Sequence, residues 1–155
     1  MVCHFRARHF PVRLATGAFI LNSGLAKRHA DEDTAVGLHS FASGTYPFLQ
    51  QLDSQKFVRL LSSSEIALGA ALLLPIVPAG VAGAGLAGFS ASLLGLYLRT
   101  PGMRQDGSLA PTQDGTALAK DVWMLGAGLG MVVDALTDRA GRCRDRGARE
   151  RPRGA

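Results

Sequence analysis

From Ile66 to Leu98 the chain carries no Lys, Arg, Asp, Glu or His. The run reads IALGAALLLPIVPAGVAGAGLAGFSASLLGLYL. A membrane-crossing helix needs about 20 mostly apolar residues, so this stretch suffices for nearly two. Backbone polar groups in lipid must be satisfied within the segment, which favours helices. Pro75 and Pro78 in the middle, with Gly80 just after, predict a tight turn between two hydrophobic helices.

Composition fits one domain with polar ends on an apolar middle. The 155 residues are 47% hydrophobic, with a net charge of +5. The charge is unevenly placed. Arg6, Arg8 and Arg13 crowd the N-terminus, and Arg139, Arg142, Arg144, Arg146, Arg149, Arg151 and Arg153 lie in the C-terminal tail. Basic flanks beside apolar spans report membrane topology, so they are not read as a nucleic-acid surface. Cys3 and Cys143 stand in opposite tails with no CxxC and no His cluster. Neither a disulfide framework nor a metal site is expected.

Residues 1–13 read as a basic cytoplasmic N-terminus and 14–138 as the membrane domain. The segment LATGAFILNSGLA, Leu14 to Ala26, has the shape of a first membrane helix held between Arg13 and Lys27-Arg28. A signal peptide is the other reading of the same pattern. Arg28 to Lys56 is a long connection in which Asp33 or Thr34 would cap a short helix. Gly44 and Pro47 would end that helix. Phe41, Tyr46, Phe48, Leu49 and Leu52 then predict an amphipathic interfacial segment packed on top of the bundle. The second helix is expected from Phe57 to Val77, the third from Ala79 to Leu98 and the fourth from Thr116 to Leu136. Pro101-Gly102, Asp106-Gly107 and Asp114-Gly115 mark turns in the loop before the fourth. Residues 139–155 form an Arg-rich cytoplasmic tail expected to be disordered. The fold class is therefore all-α: a transmembrane four-helix bundle with an amphipathic segment in the first outer loop. Four spans and the Lys/Arg bias place both termini in the cytoplasm of a multi-pass cell-membrane protein.

Small residues recur every four positions on the third helix, at Gly80, Ala84, Gly88 and Ser92, and Gly126 and Gly130 form a GxxxG pair on the fourth. Such stripes let membrane helices approach closely. Gly83, Gly85 and Gly88 also satisfy GxGxxG. A dinucleotide site would need a preceding strand and a following amphipathic helix, and neither is present in the pattern.

Ionisable groups within a membrane are functional candidates by default. Glu65 is the main one. Asn22, Ser23, Lys27, Lys120, Asp121 and Ser62 to Ser64 are expected at similar depth, where they would converge on an outward-facing polar pocket. Glu65 would pair there with Lys120 or Lys27, or accept a hydrogen bond from Asn22. Asp134 falls near the other membrane face, toward Arg13 or Arg139. Glu65 reads either as a structural ion pair that sets helix register or as part of a ligand, proton or quinone site.

Four segments carry a resemblance to a known family: RLATGAFILNSGLAK (13–27), SEIALGAALLLP (64–75), LYLRTPGMRQDGS (96–108) and PTQDGTALAKDVWMLGAGLG (111–130). Together they resemble the DoxX family of small bacterial membrane proteins, the last two in the manner of its actinobacterial branch. The resemblance implies a four-helix transmembrane bundle in which Glu65 matches a recurring acid of the second helix. Arg13, Lys27, Lys120 and Asp121 would match polar positions at helix ends. It implies a link to thiosulfate:quinone oxidoreductase or to a membrane complex handling oxidative and thiol stress. No motif for a bound cofactor occurs, so redox chemistry would need a quinone or a partner subunit. The expected partners are the lipid bilayer, protein subunits and anionic lipid at the Arg-rich tail. Two functions follow: an accessory or scaffold subunit, or a quinone-linked oxidoreductase subunit in which Glu65 relays a proton and Lys120 or Asn22 holds a quinone oxygen. A small transporter using the same pocket is a third.

Overall fold

The computed structural model describes the backbone of residues 7–149 and the side chains from Arg8 to Asp138. It is all-helical: α1 (Phe10–Lys27), α2 (Glu32–Thr45), α3 (Ser54–Leu73), α4 (Ala79–Arg99), the single turn α5 (Thr116–Ala119) and α6 (Asp121–Arg149). A 3-10 segment, Pro47–Gln51, joins α2 to α3. Among the described residues the only β pairing is an isolated bridge between Arg104 and Pro111.

The turn between α3 and α4 lies where the prolines place it. α3 stops at Leu73, and Pro78 occupies the N-cap position of α4. Arg13 of α1 reinforces this turn. Its buried guanidinium donates to the carbonyls of Leu72 (2.7 Å), Ala71 (2.9 Å), Leu74 (2.8 Å) and Val77 (3.1 Å). The last carbonyls of a helix have no intrahelical partner, and Arg supplies a fork of donors that no other side chain matches. Arg13 therefore does not face Asp134, which instead pairs with Arg8 and with His9 (Nε2–Oδ2 2.9 Å). That pairing holds the Arg8 guanidinium's ionisation above its ordinary range, through its hydrogen bond to Asp134 first.

The helices associate as two antiparallel pairs, α1 with α3 and α4 with α6. α1 buries Arg13, Gly17, Ile20 and Gly24, and α3 buries Val58, Ser62, Glu65, Gly69 and Leu72. Both stripes alternate steps of three and four residues, the pattern that keeps one seam facing a partner at a shallow crossing angle. A Cβ on Gly69 would lie 2.7 Å from the backbone N of Leu21, and one on Gly24 2.9 Å from the backbone N of Ile66. The two pairs meet at a core of Ile20, Leu72, Ala82, Leu86 and Met131.

The connection after α1 is ordered. Asp31, rather than Asp33 or Thr34, caps α2, accepting from the Thr34 N–H at 2.9 Å. Hydrogen bonds from Thr34 hold the Asp31 carboxyl below its usual range. α2 lies on the N-terminal half of α3 through a second core of Ala35, Ala42, Phe57 and Val58. Its C-terminal end reaches α4, where the Tyr46 hydroxyl donates to the Ser92 carbonyl (2.8 Å) and Thr45 bonds Thr100 (2.9 Å). Of the stretch expected to be amphipathic, Leu49 and Leu52 rest on the α2–α3 core, while Phe48 is 67% exposed. Gly102 and Gly107 adopt φ +82° and +68° at two of the turn signals. The Tyr97 hydroxyl fastens the intervening loop through the Leu109 carbonyl (2.6 Å).

Among the described residues, two helical segments are long and apolar enough to cross a membrane, Ala79–Arg99 and Thr116–Asp138. The fourth segment breaks at Lys120 into α5 and α6. Helical backbone extends to Arg149, past the start of the tail expected to be disordered from 139. Residues 150–155 of that tail lie outside the described residues.

Candidate functional site

Glu65 sits in the middle of the α3 stripe that faces α1, which explains its burial: it is 4% exposed. Its Oε2 accepts from the Lys27 ammonium at 3.0 Å. Lys27 lies in the last turn of α1 and donates also to the Ser23 hydroxyl at 2.6 Å, one turn earlier on the same face. The Ser62 hydroxyl donates to the Gly24 carbonyl at 2.7 Å. The site is thus a cross-link between α1 and α3 in which each charge has its counter-charge. Its closeness depends on Gly24, whose missing side chain leaves room for the Glu65 Cβ, 2.9 Å from where a Gly24 Cβ would stand.

Of the partners anticipated for Glu65, the structure selects Lys27. Asn22 and Lys120 are exposed. Asn22 lies about 200° around α1 from Ile20, on the side turned away from α3. Asp121 is buried, 7% exposed, but belongs to the α4–α6 pair. The five residues Glu65, Asn22, Lys27, Lys120 and Asp121 therefore do not form one pocket: Lys27 and Glu65 meet and the other three stand apart. Among the described residues no group of three or more His, Cys, Asp or Glu side chains converges as a metal site would require.

The close-packing glycines also differ from those the four-residue repeats suggested. Ala84, Gly88, Gly126 and Gly130 are exposed, and a Cβ at Gly88, Gly126 or Gly130 would meet nothing within 4 Å. Gly80 alone of that set is close to a neighbour, the Ala135 Cβ at 2.8 Å. The α4–α6 contact is made by Gly83 and Gly128: a Cβ on either would lie 2.7 Å from the other's carbonyl oxygen. The reason is rotational phase. Steps of four residues advance about 40° beyond a full turn each time, so such a stripe winds off a facing helix, whereas alternating three and four stays on it. Gly17, Gly24 and Gly69 fit the alternating pattern and were legible by that criterion. GxGxxG lies wholly within α4, so it is helix surface and not a phosphate loop.

The chain matches no family model, no curated protein and no solved structure.

Proposed function

We propose that the chain is a four-helix membrane bundle of the DoxX type, multi-pass in the cell membrane with both termini cytoplasmic. We further propose that it acts as an accessory or scaffold subunit of a membrane complex linked to redox or oxidative-stress handling. Lipid and partner subunits would cover its apolar faces, and anionic lipid would bind its Arg-rich tail. The observation that carries the scaffold reading is the Lys27–Glu65 cross-link. The main intramembrane acid is neutralised by a helix neighbour, and Asn22 and Lys120, the candidate quinone ligands, lie away from it. Such a pair sets the register of two helices. The quinone-linked alternative would require Glu65 to leave Lys27 and exchange a proton.

Membrane insertion is supported by how little of the apolar surface the chain covers for itself. Only 33% and 17% of the apolar windows in the two longest hydrophobic segments are buried. Phe19, Ile76, Val81, Trp123 and Val133 are all more than half exposed. α1 and α3 are less apolar, but their 18 and 20 residues reach roughly 27 and 30 Å at 1.5 Å per residue. Their inward polar groups are satisfied, Arg13 by carbonyls and Glu65 by Lys27, as charges in a bilayer must be.

Topology is testable with the two native cysteines. A membrane-impermeant maleimide should leave Cys3 and Cys143 unlabelled in intact cells and label both in inverted vesicles. Labelling of either from outside would refute the four-span arrangement. For function, purification in mild detergent should recover partner subunits that are lost when the chain is truncated after Asp138. Glu65→Gln at normal protein level should preserve protection in a cellular oxidative-stress assay. Loss of protection with intact assembly would instead support the quinone-linked reading.

A further inference from the structure

The loop between α4 and α5 is fixed at both of its glycine turns. The Ser108 N–H closes the Asp106-Gly107 turn on the Gln105 carbonyl (3.1 Å), and the Thr112 hydroxyl donates to the Gly102 carbonyl (2.7 Å). The Gln105 N–H reaches the Ala110 carbonyl (2.9 Å), and the Tyr97 hydroxyl ties Leu109 to α4 (2.6 Å). These bonds frame a cavity of about 510 Å³ whose lining includes Thr100, Arg104, Asp106, Ser108 and Leu109. Arg104 and Asp106 are its charged residues, and they do not answer each other: neither side chain makes a hydrogen bond or ion pair with a described residue. The Arg104 Nε is buried without an acceptor. Buried donors left unsatisfied are rare and mark a place where a further group belongs. The Ser108 hydroxyl oxygen accepts from the Ala110 N–H (3.0 Å), which leaves its proton to donate. The lining thus offers a cationic fork and a hydroxyl to an anion, and a carboxylate to a cation.

We infer that this cavity binds the headgroup of an ethanolamine phospholipid, with the phosphate on Arg104 and Ser108 and the ammonium on Asp106. The inference rests on the membrane reading above. In the antiparallel pair, α4 ends at Arg99 where α6 begins at Asp121, so the loop lies at the end of both apolar segments. Leu109, in the lining, is 72% exposed, and Trp123 at the start of α6 is 73% exposed. Tryptophan at the end of an apolar helix sits at headgroup level, which puts the cavity beside lipid rather than in bulk water. The chemistry of the lining fits a zwitterion. An anion alone would meet the Asp106 carboxylate, and a cation alone the Arg104 guanidinium. Arginine takes two phosphate oxygens through its planar fork, and a primary ammonium brings three donors to a carboxylate. A choline headgroup carries the same phosphate but no N–H, so Asp106 selects ethanolamine over choline.

Native mass spectrometry of the full chain in mild detergent tests this with added phosphatidylethanolamine and phosphatidylcholine. Phosphatidylethanolamine should bind about tenfold more tightly, the order expected of one hydrogen bond to a charged group. Asp106→Asn should erase that preference and leave phosphatidylcholine binding unchanged. Arg104→Ala should weaken both lipids by about tenfold or more. Asp106 is exposed, so Asp106→Asn decides the matter even if Arg104→Ala fails to accumulate. Equal affinity of the wild type for the two lipids would overturn the inference, as would a preference that survives Asp106→Asn. Water-soluble glycerophosphoethanolamine binding as tightly as the lipid would overturn the lipid assignment. Alkaline carbonate washing separates this inference from the reading beneath it. A chain released from membranes refutes the membrane reading, whereas one that stays in the membrane and shows no lipid preference refutes the headgroup site alone.

Discussion

Lys27→Ala should lower unfolding stability by about 3–5 kcal/mol, the range for removing one member of a buried ion pair. The effect is asymmetric. Without Lys27, the Glu65 carboxylate stays inside the α1–α3 seam, where its side chain is 5% exposed. Without Glu65, the Lys27 ammonium is 22% exposed and keeps the Ser23 hydroxyl, and its long stem lets it reach toward water or headgroups. Glu65→Gln should therefore cost less than Lys27→Ala. The double variant Lys27→Met/Glu65→Met should recover most of the loss, because an apolar pair of similar size avoids the cost of desolvating charge. Denaturant or thermal unfolding in mild detergent measures all three. A Lys27→Ala protein within 1 kcal/mol of wild type, a margin well below the range for buried pairs, would show that the pair does not hold these helices.

Gly69→Ala, Gly83→Ala and Gly128→Ala should each destabilise by about 1–3 kcal/mol, the usual cost of overpacking, while Gly88→Ala, Gly126→Ala and Gly130→Ala should stay within about 0.5 kcal/mol, as for open surface positions. In the first group the new methyl would sit 2.7 Å from backbone atoms of the facing helix, which cannot move aside as a side-chain end could. In the second nothing lies within 4 Å. Leucine at the first three positions should prevent the helix pairs from forming. The comparison is made by thermal unfolding of the six alanine variants. Equal effects in the two groups would mean that the outward stripes pack against something in the membrane as tightly as the inward ones pack within the chain.

The glycine comparison shows where sequence reading succeeds and where it stops. The turn at Pro75 and Pro78, the start of α4 at Ala79 and the two positive-φ glycines after it follow from local rules about proline, glycine and turn chemistry, and the structure has them in place. The pairing of Glu65 with Lys27 was one of the open alternatives, because both lie at comparable depth on neighbouring segments. The stripe Gly80, Ala84, Gly88 looked like a contact because small residues recur on it, yet the contact falls on Gly83, one residue and about 100° away.

By itself the sequence determined that the chain is helical, that a proline turn separates α3 from α4, and that α4 and the segment from Thr116 are apolar enough for lipid. Those properties depend on residues within a turn or two of one another: the run of uncharged side chains, the missing N–H of proline, the charges at helix ends. Tertiary structure decided which face of each helix turns inward, that α1 pairs with α3 and α4 with α6, and that Glu65 and Asp121 belong to different halves. Those outcomes depend on the rotation of one helix against another distant in sequence. There a shift of one residue turns a side chain by about 100°, enough to exchange a partner for open surface.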